Sequence, residues 1–148
     1  MTRWIEAKTL GLWDRDVCEL FVAPCKIDAN RYYEFEVAPT GEWVDLRIDW
    51  HAEGRATDWQ YASGMRAAAR VEGSSVVLAC SIPWTAFNCP MPSAGDVWRA
   101  NLFRCVGTNE HAHGRGYLAW QPTRTAQPSF HVPAAFGRLS FIDRLAAR

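Results

Sequence analysis

Trp13 and Glu19 are the side chains of this sequence best placed to do chemistry together. They stand in LWDRDVCELF, with Asp14 and Asp16 between them. Cys18 and Leu20 alternate there with Val17, Glu19 and Phe21, so a strand over this run projects Glu19 from one face. An aromatic plate beside a fixed carboxylate suits a pyranose. The plate packs on the C–H face of the ring, and the carboxylate accepts hydrogen bonds from neighbouring hydroxyls. Trp59 and Tyr61, in a polar stretch, are candidates to extend such a surface. Trp120 alternates with Leu118 and is expected in the core.

Glu19, Glu34, Glu36 and Asp45 raise the question of hydrolysis, which needs an acid and a base or nucleophile ~5–10 Å apart across the bond. A strand with an acidic outer face brings carboxylates that close by accident. These four are expected to be solvated and non-catalytic. His111 and His113, in GTNEHAHGRG, look like half a metal site with Glu110 and His131 in reserve. A third ligand at a suitable spacing is lacking, and a polar hairpin loop is the plainer reading. The five cysteines, Cys18, Cys25, Cys80, Cys89 and Cys105, form an odd set without C-x-x-C, so reduced thiols are expected.

Positioning these groups falls to β-structure, because apolar alternation and short runs bounded by turn residues dominate the chain. Residues 17–23 read as a strand. Residues 32–38 and 42–49 read as a hairpin around Ala38-Pro39-Thr40-Gly41. In its second arm Val44, Leu46 and Ile48 face one way, and Trp43, Asp45, Arg47 and Asp49 the other. Residues 50–64 read as a long loop. Residues 65–71 and 75–81 form a second hairpin across Glu72-Gly73-Ser74, and residues 82–87 a short turn. Residues 96–106 are the longest strand, and 117–120 and 138–142 complete the set. The expectation is a single antiparallel β-sandwich of about eight strands over residues 1–148, with 1–11 a short lead and 143–148 a tail.

Composition bounds the function. At 148 residues, 49% hydrophobic and 22% charged, the chain is sized for one domain with a proper core. A formal net charge of zero and the absence of any Lys/Arg run argue against nucleic acid or an anionic membrane as partner. No stretch reaches transmembrane length. Localisation stays open: cytoplasmic as the sequence is written, secreted if its start is truncated.

Five segments taken in order, LWDRDVCELF, YYEFEVAPTGEW, SIPWTAF, GDVWRANLFR and the run from YLAW to FGRLSF, resemble the family 9 carbohydrate-binding modules and their DOMON-superfamily relatives. The resemblance spans residues 10–141. It implies a jelly-roll-like antiparallel β-sandwich that clamps a terminal sugar between two tryptophans, with a glutamate and an arginine taking hydroxyls. The tryptophan–glutamate spacing falls on Trp13 and Glu19, and the second aromatic on Phe130. The arginine's position falls on Glu36, which leaves Arg47 and Arg99 as the candidates to take its part.

The resemblance further implies non-catalytic binding of a glucan or xylan-type glycan, by a module attached to glycan-degrading enzymes in polysaccharide catabolism. Structural calcium on oxygen ligands is implied too, with Asp14/Asp16 and Asp28/Asn30 as the candidate groups. Haem-binding DOMON relatives make an electron-transfer domain the alternative, with Met65, Met91 and His131 as available axial ligands. A structural domain with a decayed sugar site is a third reading. Family members begin with two or three more strands than MTRWIEAKTLG provides. The expectation is an uncovered sheet edge and a homodimer through it, unless Trp4 and Ile5 fold back over the gap.

Overall fold

The alternation around Glu19 does make a strand. In the computed structural model, which describes residues 8–24, 30–107 and 115–144, β1 is Val17–Ala23. It lies between β2 (Arg31–Val37) and β7 (Val97–Val106), antiparallel to both. Outward from β2 run β3 (Trp43–His51) and β4 (Gly54–Asp58). On the other side, β8 (Gly116–Ala119) pairs with the second half of β7 and β9 (Gly137–Ser140) with its first half. These seven strands form one antiparallel sheet. A separate hairpin, β5 (Arg66–Glu72) and β6 (Ser75–Ser81), forms the second layer.

Both faces of the large sheet are covered, and the two-residue strand period sorts side chains between them. One face carries Val17, Phe21, Tyr32, Val44, Leu46, Ile48, Phe103 and Cys105, packed under Leu12 and Phe136 from the connecting segments. The other carries Val22, Tyr33, Phe35, Val37, Trp43, Trp98 and Ala100, packed against Met65, Ala67 and Phe87. The β2–β3 turn closes with Gly41 N–H donating to the Ala38 carbonyl at 2.8 Å. Gly41 sits at φ 86°, a left-handed conformation that side-chain-bearing residues rarely adopt.

Three sequence expectations need correction. Residues 50–64 are not all loop: β4 lies within them, in register with β3 through Ile48–Thr57 and Asp49–Ala56. Its residues are small or polar and partly exposed, so an edge strand of this kind leaves no apolar alternation to read. The carboxylates Glu19, Glu34, Glu36 and Asp45 are not solvated but buried, because both sheet faces are covered. Trp120 is 48% exposed rather than core. Its backbone N–H pairs with the Leu102 carbonyl at 2.8 Å, just past the end of β8.

Nine strands are seen among the described residues. Cys18, Cys80 and Cys105 form no disulfide, and Cys80 stands on an exposed strand. Cys25, Trp4, Ile5, Asp28, Glu110, His111 and His113 lie outside the described residues. No helix among the described residues is long and apolar enough to cross a membrane.

Candidate functional site

The residues that fold the chain into this site come from both ends of the sequence. Gly11, at φ 82°, turns the backbone into a short 3₁₀ turn, Leu12–Asp14. Leu12 plugs the core with no exposed surface, and this anchors the half-buried Trp13 at the rim of the sheet. Trp59, one residue past β4, lies with its ring centroid 6.0 Å from that of Trp13 at an angle of 49°. Phe130 stacks on Phe103 with centroids 4.1 Å apart and planes at 11°, and Tyr117 of β8 meets Phe130 edge-on at 5.9 Å. Trp13, Trp59, Tyr117 and Phe130 line a cavity of about 430 Å³.

Polar groups in the same cavity are Glu19 of β1, Glu34 of β2, Asp14, His131 and two arginines, Arg55 of β4 and Arg115 before β8. Arg115 donates an Nη2 hydrogen bond to the Trp13 carbonyl, and its guanidinium carbon lies 5.1 Å from the Tyr117 ring centre. One arginine thus braces both aromatic walls. Beneath the cavity wall, Glu19 faces Glu36 across the β1–β2 ladder. Glu19, Glu34 and Glu36 bring one oxygen each to within 4.8 Å of the others.

Burial dominates the electrostatics of this cluster. It pushes the carboxyl of Glu19 above the usual carboxylate range, and repulsion from Glu34 adds to it. Burial also raises Glu34 and Glu36, the latter further raised by Glu19. The Cys105 thiol, 3.5 Å from Glu19 Oε1 and donating to it, is pushed up to about 12 by burial. His131 is held down to about 3, by burial first and by Arg55 second, so it is a neutral imidazole. Its Nδ1 lies 2.8 Å from the Tyr32 hydroxyl, which takes a hydrogen bond from Trp50 Nε1 at 3.3 Å. The other ring nitrogen, Nε2, lies 3.9 Å from Glu34 Oε2.

Trp13 and Glu19, near the start of the chain, therefore meet Phe130, more than a hundred residues later, in one cavity. The two arginines expected with them do not. Arg47 alternates to the opposite face of β3, where it pairs with Asp58 at 3.1 Å and Asp49 at 3.4 Å. Arg99 shares the face of Glu19 but lies at the other end of β7, opposite Ala23. There it donates to the Phe136 carbonyl and lines a different cavity. Arg55 and Arg115 occupy the site instead. Arg55 was hidden in the stretch read as loop, and Arg115 follows a glycine-flanked segment with no strand signal.

Of the calcium candidates, Asp28 lies outside the described residues. Asp16 Oδ1 is taken by the Gly107 N–H at 3.0 Å and by Arg104 at 3.5 Å, and the Asn30 carbonyl by Trp50 N–H at 2.9 Å. The haem candidates are scattered. Met65 is buried in the core on the opposite sheet face, Met91 is exposed, and His131 lines the site.

Among known proteins, a crystal structure from Bacteroides uniformis ATCC 8492, provisionally described as a carbohydrate-binding protein, superposes with a TM-score of 0.68 at 27% sequence identity. The match covers 92% of this chain and 65% of that one, so the present chain spans less than two thirds of its relative. No curated protein matches the sequence significantly. The sequence model of carbohydrate-binding family 9 matches residues 6–141. With nearly its whole length matched, this antiparallel β-sandwich belongs to carbohydrate-binding family 9.

Proposed function

We propose that the chain is a non-catalytic module that binds the terminal sugar of a glucan or xylan-type glycan in the cavity between Trp13, Trp59 and Phe130, in the service of polysaccharide breakdown. The observation that carries this reading is the meeting of Trp13, Glu19 and Phe130 in one cavity of about 430 Å³, of a size for a single pyranose. Trp13 and Trp59 form a tilted aromatic floor and Phe130 a second plate, to which the C–H faces of the ring pack. Glu19, at the floor of the cavity, takes hydroxyl hydrogen bonds. Arg115 and Arg55 do the part first expected of Arg47 and Arg99, as planar donors to ring hydroxyls.

Binding fits these carboxylates better than hydrolysis does. Glu19 and Glu34 come from adjacent strands of one wall, crowded with Glu36, rather than from opposite sides of a bond. Affinity is expected on the order of 10⁻³–10⁻⁵ M, roughly −4 to −7 kcal/mol, because a single sugar ring buries little apolar area and its hydroxyls exchange water for protein partners. The test is calorimetric titration of the wild type and Trp13→Ala with glucose, cellobiose and xylobiose. Binding by the wild type and none detectable by the variant is expected, with the far-UV spectrum and melt unchanged. Equal binding by both would sink the assignment.

A further inference from the structure

Among the described residues, Glu36 stands out as a buried acid with both carboxyl oxygens unsatisfied. It has no exposed surface, and among the described residues no donor reaches either of its carboxyl oxygens. Glu34 Oε2 is buried in the same condition. Leaving a carboxylate buried without partners is costly enough that such groups are paired, protonated or bound to a metal. Here the nearest groups are more carboxylates: Glu19 across the ladder and Glu34 two residues back on the same face of β2. Glu34 and Glu36 can bond to each other only if a proton sits between them, since ionised carboxylates only accept.

The contrast with Asp45 on the opposite face is sharp. Asp45 is as deeply buried, yet its oxygens take Ser63 N–H at 2.6 Å and Lys8 Nζ at 3.2 Å.

We infer that Glu19, Glu34 and Glu36 hold a single calcium ion at the floor of the sugar cavity, with its remaining coordination positions open to the ligand's hydroxyls. The dimensions fit. Calcium takes oxygens at about 2.3–2.6 Å, so opposite ligands of one ion lie up to about 5 Å apart. The three carboxyl oxygens lie within 4.8 Å of one another. Magnesium, at about 2.0–2.1 Å with a strict octahedron, would require the cluster to contract. Calcium also takes six to eight oxygens in flexible geometry, more than three carboxylates supply, so positions remain for other oxygens. Glu19 and Glu34 line the cavity while Glu36 does not. The ion therefore has an entry path through the cavity, and Glu36 closes it from beneath. Two neighbouring sugar hydroxyls are the kind of oxygen pair that completes such a sphere.

This inference rests on the sugar-binding reading, and Glu36 separates the two, because it contacts no ligand in the cavity. The full chain, freed of metal by chelation, is titrated with Ca²⁺ by calorimetry and with Tb³⁺ by luminescence excited through Trp13 and Trp59. Wild type and Glu36→Gln are compared, and each is checked for folding by its melt. One saturable ion per chain is expected, weakened at least tenfold in Glu36→Gln, together with sugar affinity at least tenfold higher in calcium than in chelator. Metal uptake without sugar binding in either state sustains the cation site and sinks only the sugar reading. Equal sugar affinity with and without calcium overturns the ion's part in recognition. A folded protein that takes up no ion at millimolar Ca²⁺, or a Glu36→Gln variant that takes it up as well as wild type, overturns the site in favour of a cluster held by protons.

Discussion

The two faces of the seven-stranded sheet are made by the same strands, yet they are built differently. The face toward β5–β6 and the Trp84–Phe87 turn is a packing surface: Phe87 meets Tyr33, Phe35 and Trp98 edge-on with centroids 5.0–5.8 Å apart. Its buried acid, Asp45, is fully partnered. The face toward Phe130, His131 and Phe136 packs well at its centre, then opens over Glu19 and Glu34 into a cavity walled by aromatic rings. Its buried acids are crowded together and short of donors. Burial alone does not mark a functional carboxylate. What singles out a candidate is burial without the hydrogen bonds that would make it structural, as at Glu36.

Several substitutions probe that division. The largest effect belongs to the packing face: Phe87→Ala removes a ring at the junction of the two layers and should cost about 3–5 kcal/mol by denaturant unfolding. The folded fraction should still bind sugar as the wild type does; loss of affinity there would mean the faces are coupled. Asp45→Ala should cost roughly 3 kcal/mol, since it strands the Ser63 N–H and leaves the Lys8 ammonium without its carboxylate. A cost under about 1 kcal/mol would show that this acid is not the structural counterpart of the Glu19 cluster.

Glu19→Gln should weaken sugar binding by about 1.5–3 kcal/mol with little change in unfolding free energy, because the shape is kept while an acceptor oxygen facing the ligand's hydroxyls becomes an amide donor. A stability loss larger than the affinity loss would place Glu19 with Asp45. The smallest effect is expected at Arg47→Ala: its half-exposed pairs with Asp49 and Asp58 contribute under about 1 kcal/mol, and sugar affinity should not move. Arg115→Met, by contrast, should weaken binding, as it removes the brace between Trp13 and Tyr117.

Much of this was legible before any coordinates. The alternation of residues 17–23 marks β1 to the residue, and Pro39-Thr40-Gly41 and Glu72-Gly73-Ser74 mark both tight hairpins. The pairing of Trp13 with Glu19 was legible as well, because six residues of chain fix their separation. β4 was not, since an edge strand of Arg, Ala and Thr makes its case through hydrogen bonds to β3 rather than through buried side chains. With β4 went Arg55 and the placement of Trp59.

By itself, the sequence determined the strand period, and so which side chains share a face: Glu19 with Phe21, Glu34 with Glu36, and Arg47 with Asp45. Parity follows from local backbone geometry, which needs no partner. Whether a face is wet or dry is settled by what folds over it. Only the tertiary structure decided that, by laying the irregular segment around Phe130, His131 and Phe136 on one side and the β5–β6 hairpin on the other. That covering turned acids expected in solvent into a buried cluster. It also brought Arg55 and Arg115, rather than Arg47 and Arg99, to the cavity, because contacts between distant segments depend on topology rather than on spacing along the chain.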